Sequence, residues 1–241
     1  MNDATRRRFA TTRWTLVHAA GHRSNADAAA ALAELCQIYW PPLYGYLRGR
    51  GHAAEEAQDL TQGFFARLLE RQDIRTADQL RGRFRGFLLT ALKRYVINEH
   101  ERALTEKRGG RHMRLSLDFE EAERLYALEP WSDDTPERIF DRKWATIALD
   151  RAFQRLREEC DHAGKSAMAD ALLPYLTDTG DLPPYRMVAA ELELSEGAVK
   201  VAVHRLRRRF GAILRLEIAE TMLASSDVDA EMRELIRAVS T

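Results

Sequence analysis

Between Tyr185 and Leu216 the segment YRMVAAELELSEGAVKVAVHRLRRRFGAILRL admits little besides two helices held across a tight turn. Val188, Ala189 and Leu192 recur at helical spacing, Glu193-Leu194 interrupts them, and Ser195 stands where an N-cap hydroxyl would accept from the first free amides of a second helix. Val199, Val203, Leu206, Phe210 and Ile213 then form an i, i+4, i+7 stripe for packing, which leaves Lys200, His204, Arg205, Arg208 and Arg209 on the other side. Small Ala189 and Ala190 let the helices approach, and Gly197 is expected to make room for another backbone. From Glu196 to Arg209 five basic residues face one acidic residue, a net of +4. This is the plan of a helix-turn-helix, whose second helix enters the major groove of DNA. An arginine-rich face alone is usually a solvated face; a capped helix preceded by a short apolar helix and a turn is more specific. Lys200, His204 and Arg205 are expected at base edges, and Arg207, Arg208 and Arg209 at phosphates.

The distribution of charge carries more than its sum. Thirty-seven basic residues balance thirty-seven acidic ones over 241 residues. Residues 1–13 nevertheless hold four arginines against Asp3, and residues 81–111 hold nine basic residues against three acidic ones, a net of +6. Residues 116–137 reverse the sign, with eight acidic residues against Arg124, a net of −7. Basic modules flanking an acidic connector suit a polyanion gripped at two separated places. Cys36 and Cys160 are too few and too far apart for a disulfide framework or a zinc motif, and a reducing cytoplasm is the expected compartment. No apolar run approaches the length of a membrane span, and the start lacks the apolar core of a signal peptide. The seven histidines lack HExxH-type spacing, no glycine-rich phosphate loop follows a strand, and no Ser or Cys elbow is present. Neither catalysis, nor a cofactor, nor a metal is expected.

Helical periodicity extends through the rest of the chain, and no segment reads as a strand. Short helices are expected at Trp14–Ala20 and Ala26–Tyr39, a break at Pro41-Pro42, a helix over Leu43–Arg48, and another over Ala53–Leu69 with Leu60, Phe64 and Leu68 on one face. Phe65 and Leu69 add a second apolar edge that invites a partner. Arg83–Lys107 reads as one long helix. Its core side is Phe84, Phe87, Leu88, Ala91, Leu92, Tyr95 and Val96, and Arg94, Asn98 and Arg102 line up four residues apart on another face beside Lys93 and Arg85. Taken alone that line is a solvated face; with aromatic side chains close by it also suits a nucleic-acid backbone and unstacked bases. An acidic connector follows, and helices are then expected from Thr135-Pro136-Glu137 to about Cys160, over Ser166–Tyr175, and over Asp227–Val239.

The order of these parts resembles the extracytoplasmic-function (ECF) group of bacterial sigma factors, the promoter-recognition subunits of RNA polymerase. The likeness covers about Ala28–Lys107 and Thr135–Thr221. LYGYLRGRG, AEEAQDLTQGFFARLLE and FRGFLLTALKRYVINEHER are similar to domain two of that group, and YRMVAAELELSEGAVKVAVHRLRRR to domain four; TTRWTLV and KRGGRHMRLSLDFEEAE resemble a larger-than-minimal branch. The resemblance implies an all-α chain of an N-terminal extension (1–25), domain two (26–112), an acidic linker (113–134), domain four (135–224) and a C-terminal helix (225–241). It assigns Asp59, Leu60, Gln62, Phe65, Arg67 and Leu69 to the clamp coiled coil of the polymerase β′ subunit, and leads one to expect contact with the β flap as well. Arg85, Phe87, Lys93, Arg94, Asn98 and Arg102 would meet the minus-ten element, and Ser195, Lys200, Val201, His204, Arg205, Arg208 and Arg209 the minus-thirty-five element. Phe87 stands where such proteins often carry Trp, and Glu99 where they often carry Asp. An anti-sigma protein or other regulator is a further partner that the likeness admits. The competing expectation from the same helix-turn-helix is a dimeric regulator that binds a palindromic operator without polymerase.

Overall fold

Pro41 and Pro42 do not interrupt the first helix. In a computed structural model, which describes residues 38–70, 84–105, 117–127, 134–177, 182–219 and 227–240, the chain is already helical at Ile38 and stays so through residue 49 (α1, 38–49). The expected break is therefore corrected. An interior proline costs a helix about 3 kcal/mol, but Ile38, Tyr39, Trp40, Leu43, Tyr44, Tyr46 and Leu47 are all buried along this segment, and burying a large apolar side chain contributes ~1.5–3 kcal/mol each. The helices expected at Trp14–Ala20 and over most of Ala26–Tyr39, the basic residues 6–13, the stretch 106–116 and the turn at 178–181 lie outside the described residues.

The remaining described elements are helical, and no strand occurs among them: α2 (Ala54–Glu70), α3 (Phe84–Thr105), α4 (Phe119–Ala127), α5 (Pro136–His162), α6 (Ser166–Leu172), a 3-10 turn (Leu173–Leu176), α7 (Tyr185–Glu191), α8 (Glu196–Ala219) and α9 (Val228–Val239). No helix among the described residues is long and apolar enough to cross a membrane. The chain divides into two compact units, one of residues 1–147 with 219–241 and one of residues 148–218, so it passes from one to the other within α5 and back at the end of α8.

In the first unit α2 and α3 supply Phe64, Phe65, Leu68, Leu88, Leu92 and Tyr95 to the core with α1. Gly63 has a local reason: a Cβ there would meet the hydroxyl of Tyr95, whose ring packs edge-on to Phe64 at 5.9 Å between centroids. The acidic segment expected to be a connector contains a helix, α4. Phe119 at the start of α4 packs on Trp40 and Tyr44, with ring centroids 4.9 and 5.6 Å apart. Glu123 accepts from the Tyr44 hydroxyl and, at 3.0 and 2.8 Å, from Nε and Nη2 of Arg48. Burial, and next the bond to Glu123, raise the Tyr44 pKa well above its usual value. One aromatic ring and one paired carboxylate dock this part of the segment.

The second unit is organised by α8. Val199, Val203, Leu206, Ile213, Leu214 and Ile218 are buried along it, and Phe210 meets Phe153 of α5 at 4.4 Å between centroids. Glu217, also buried, is neutralised by Arg151 and Arg155 at 3.6 and 3.5 Å. The helix expected over Ser166–Tyr175 stops as an α-helix at Leu172, because Pro174 has no amide with which to continue it, and the 3-10 turn follows. The Tyr175 hydroxyl donates to the Pro183 carbonyl and its ring lies 4.9 Å from that of Tyr185, which ties this turn to the start of α7. Cys160 is a buried free thiol whose pKa burial pushes up.

Candidate nucleic-acid interface

The turn between α7 and α8 is closed by backbone hydrogen bonds. Leu194 N donates to the Ala189 carbonyl at 2.8 Å and Glu193 N to the Ala190 carbonyl at 3.4 Å. This is the paired pattern that ends a helix on a left-handed residue, and Glu193 supplies it with φ +54°. Ser195 caps α8 as expected, its Oγ accepting from Ala198 N at 3.2 Å. Gly197 meets no other backbone within 4 Å, so its expected role in close approach is not seen. Val188 and Ala189 of α7 are buried, as are Val199 and Val203 of α8. Lys200, Val201, His204, Arg205 and Arg208 point outward on α8.

The exposed residues are not equally available. Lys200 is 2.6 Å from Glu196 one turn earlier, an exposed pair that raises the lysine pKa and lowers that of the glutamate. Arg209 is held by both oxygens of Glu159 at 2.6 Å, and Arg207 donates at 2.8 Å to the Tyr175 carbonyl. Two of the three arginines expected at phosphates therefore brace α8 against α5 and the 3-10 turn. Arg205 and Arg208 have no ion pair among the described residues, and they stand with His204 and the half-exposed Val201 (49 % exposed) as the open part of the helix. Sequence reasoning passed over Met187 of α7 (59 % exposed) and Leu194 in the turn, exposed apolar groups of the same motif. Their signal was an apolar residue off the packing stripe.

In the first unit, Arg94, Asn98 and Arg102 are exposed along α3 as their spacing implied, with Arg102 3.1 Å from Glu99. Lys93 is tied to Glu137 at 2.7 Å and lies 5.5 Å from the Tyr46 ring; that hydrogen bond raises its pKa and lowers that of Glu137. Phe87 is half-buried. A cavity of about 310 Å³ opens between α2 and α3, lined by Phe64, Arg67, Phe87, Arg94, Tyr95 and Asn98 among others. Tyr95 inside it has its pKa pushed up to about 12, by burial first and by Glu99 second.

Two expected surface residues are withdrawn. Arg85 is 6 % exposed, its Nε 2.8 Å from the buried Glu231 of α9, with a further contact to Asp141 of α5. Phe65 is 1 % exposed and belongs to the core. Of the other residues assigned to polymerase, Asp59 is exposed and Leu60 and Gln62 are half-buried. Arg67 turns toward α3, 3.6 Å from Glu99 and 5.7 Å from the Tyr95 ring centroid. Leu69 belongs to α2, and its side chain lies outside the described residues.

Among known proteins, the family model described as ECF sigma factor matches residues 47–216, most of the chain. No curated protein and no solved structure matches it.

Proposed function

The chain belongs to the ECF sigma factor family, and from that premise we propose that it binds core RNA polymerase and selects promoters through two DNA-contacting surfaces. The observation that carries this reading is the outward row of His204, Arg205 and Arg208 on a capped helix whose opposite side is buried. α8 would lie in the major groove at the minus-thirty-five element, with Lys200, Val201, His204 and Arg205 at base edges and Arg208 at a phosphate. Arg94, Asn98 and Arg102 on α3 would face the minus-ten element, where the cavity beside Phe87 suits an unstacked base. The exposed part of α2 around Asp59, Leu60 and Gln62 is the proposed polymerase contact. Residues 26–112 and 135–224 are proposed as the two working domains. The polymerase does the chemistry; this chain chooses where it starts.

Run-off transcription from a genomic library with purified core polymerase tests the role directly: discrete start sites appear only when the protein is added. Tight binding to a symmetric operator without core enzyme overturns it in favour of a dimeric regulator. Within the interface, Arg205→Ala is expected to cost ~1–3 kcal/mol at one promoter position and relax preference there, whereas Arg208→Ala weakens binding evenly and lowers the salt slope by about one unit. Binding measured across promoter variants and salt concentrations separates the two; identical behaviour would refute the division into base and phosphate contacts.

A further inference from the structure

The geometry points to a transition-metal site, outside both proposed DNA surfaces, formed by His52, Glu56 and His100, which would take a divalent cation of the zinc class. One ligand atom from each of the three lies within 4.8 Å of the other two. His52 Nδ1 is 3.0 Å from a Glu56 oxygen, and the two imidazole rings have centroids 6.0 Å apart. Four-coordinate zinc holds nitrogen and oxygen ligands at about 2.0–2.2 Å, so this spacing needs only a modest closing of the two more exposed side chains, Glu56 and His100.

The scaffold fixes the least mobile member. α1 ends with Gly51 at φ +89°, Gly51 N donating to the Arg48 carbonyl at 2.9 Å and His52 N to the Leu47 carbonyl at 3.3 Å. Arg48 Nη1 also donates to the His52 carbonyl at 2.6 Å. Backbone and guanidinium thus hold His52, whose side chain is 12 % exposed, against the first turn of α2. Glu56 arrives from that turn and His100 from α3, so three separate segments converge.

An ion pair between His52 and Glu56 would account for two of the three residues and not for the third. Two nitrogens and one carboxylate oxygen favour zinc, nickel or copper over magnesium or calcium, and three protein ligands leave a position for water. A bound cation would staple the end of α1 and the start of α2 to α3. The spacing of the histidines along the chain gave no sign of this, because 48 positions separate His52 from His100.

Isothermal titration of the metal-free full-length protein with Zn²⁺, and with Co²⁺ as a spectroscopic probe, tests the site. One equivalent is expected to bind, with ligand-field absorption from the cobalt form, a rise in melting midpoint, and no competition from millimolar Mg²⁺. His100→Ala and Glu56→Gln, both at exposed positions, should each weaken Zn²⁺ binding at least about tenfold with helical content unchanged, a loss of ~1.4 kcal/mol or more. His162→Ala, at an exposed histidine elsewhere, should leave it unaltered. Absence of stoichiometric binding, binding that survives His100→Ala, or an equal loss in His162→Ala overturns the proposal. None of these outcomes depends on whether α3 meets DNA.

Discussion

Glu231→Ala is expected to destabilise the first unit by about 3–5 kcal/mol, a large effect for a residue near the end of the chain. The cause is the guanidinium it leaves behind. Arg85 and Glu231 are 6 % and 1 % exposed, and Arg85 also sits 5.6 Å from the ring of the buried Trp144. Removing one member of a buried pair leaves the other charge without compensation, which costs more than the pair contributed. Asp141 stays in contact with Arg85 and Glu234 stays 3.8 Å away, so the loss falls toward the lower end of the range. Glu234 is half exposed, and Glu234→Ala should therefore cost no more than ~1 kcal/mol. Replacing both charges by apolar residues, Arg85→Met with Glu231→Leu, should recover most of the stability. Denaturant unfolding and amide exchange in α3 measure all three variants; a Glu231→Ala midpoint equal to wild type would show that α9 does not hold Arg85 in solution.

The second large effect lies on the DNA. Each proposed surface offers a single helix, and few base contacts give weak binding. Held on one polymerase, the second contact becomes intramolecular and can add ~10²–10⁴ in apparent affinity. Inserting about half a helical turn, ~5 base pairs, between the two promoter elements should remove that gain, because the elements then face different sides of the duplex. The isolated protein, which lacks the shared scaffold, should be indifferent to the insertion. Band shifts on the paired templates with and without core polymerase give both numbers. An insertion without effect in the presence of core enzyme would mean that only one surface engages.

These two expectations rest on unequal foundations. α2, α3, α8 and α9 could be read from periodicity, and Thr135 and Ser195 as caps: their side-chain oxygens accept from the amides of Arg138 and Ala198 at 3.3 and 3.2 Å, as that of Asp227 does from Ala230 at 3.0 Å. Each cap joins residues three apart in the chain, and local spacing is what a sequence displays directly. The outward row of α8 was legible for the same reason, since burying Val199, Val203 and Leu206 forces Lys200, His204 and Arg205 to the other side.

Which of the basic residues stay open to a partner was not legible. Lys93, Arg209 and Arg85 look equivalent to Arg94, Arg208 and Arg205 in composition and helix position. Their carboxylate partners stand 44, 50 and 146 residues away, and no periodicity carries that information. The same holds for α4, where Glu123 reaches back 75 residues to Arg48, and for the helix across Pro41-Pro42, where burial outweighs a local penalty. Helices and their faces follow from interactions within one or two turns. Burial and ion pairing depend on chain closure over long loops, so only the folded structure could separate the arginines that hold this protein together from those it presents.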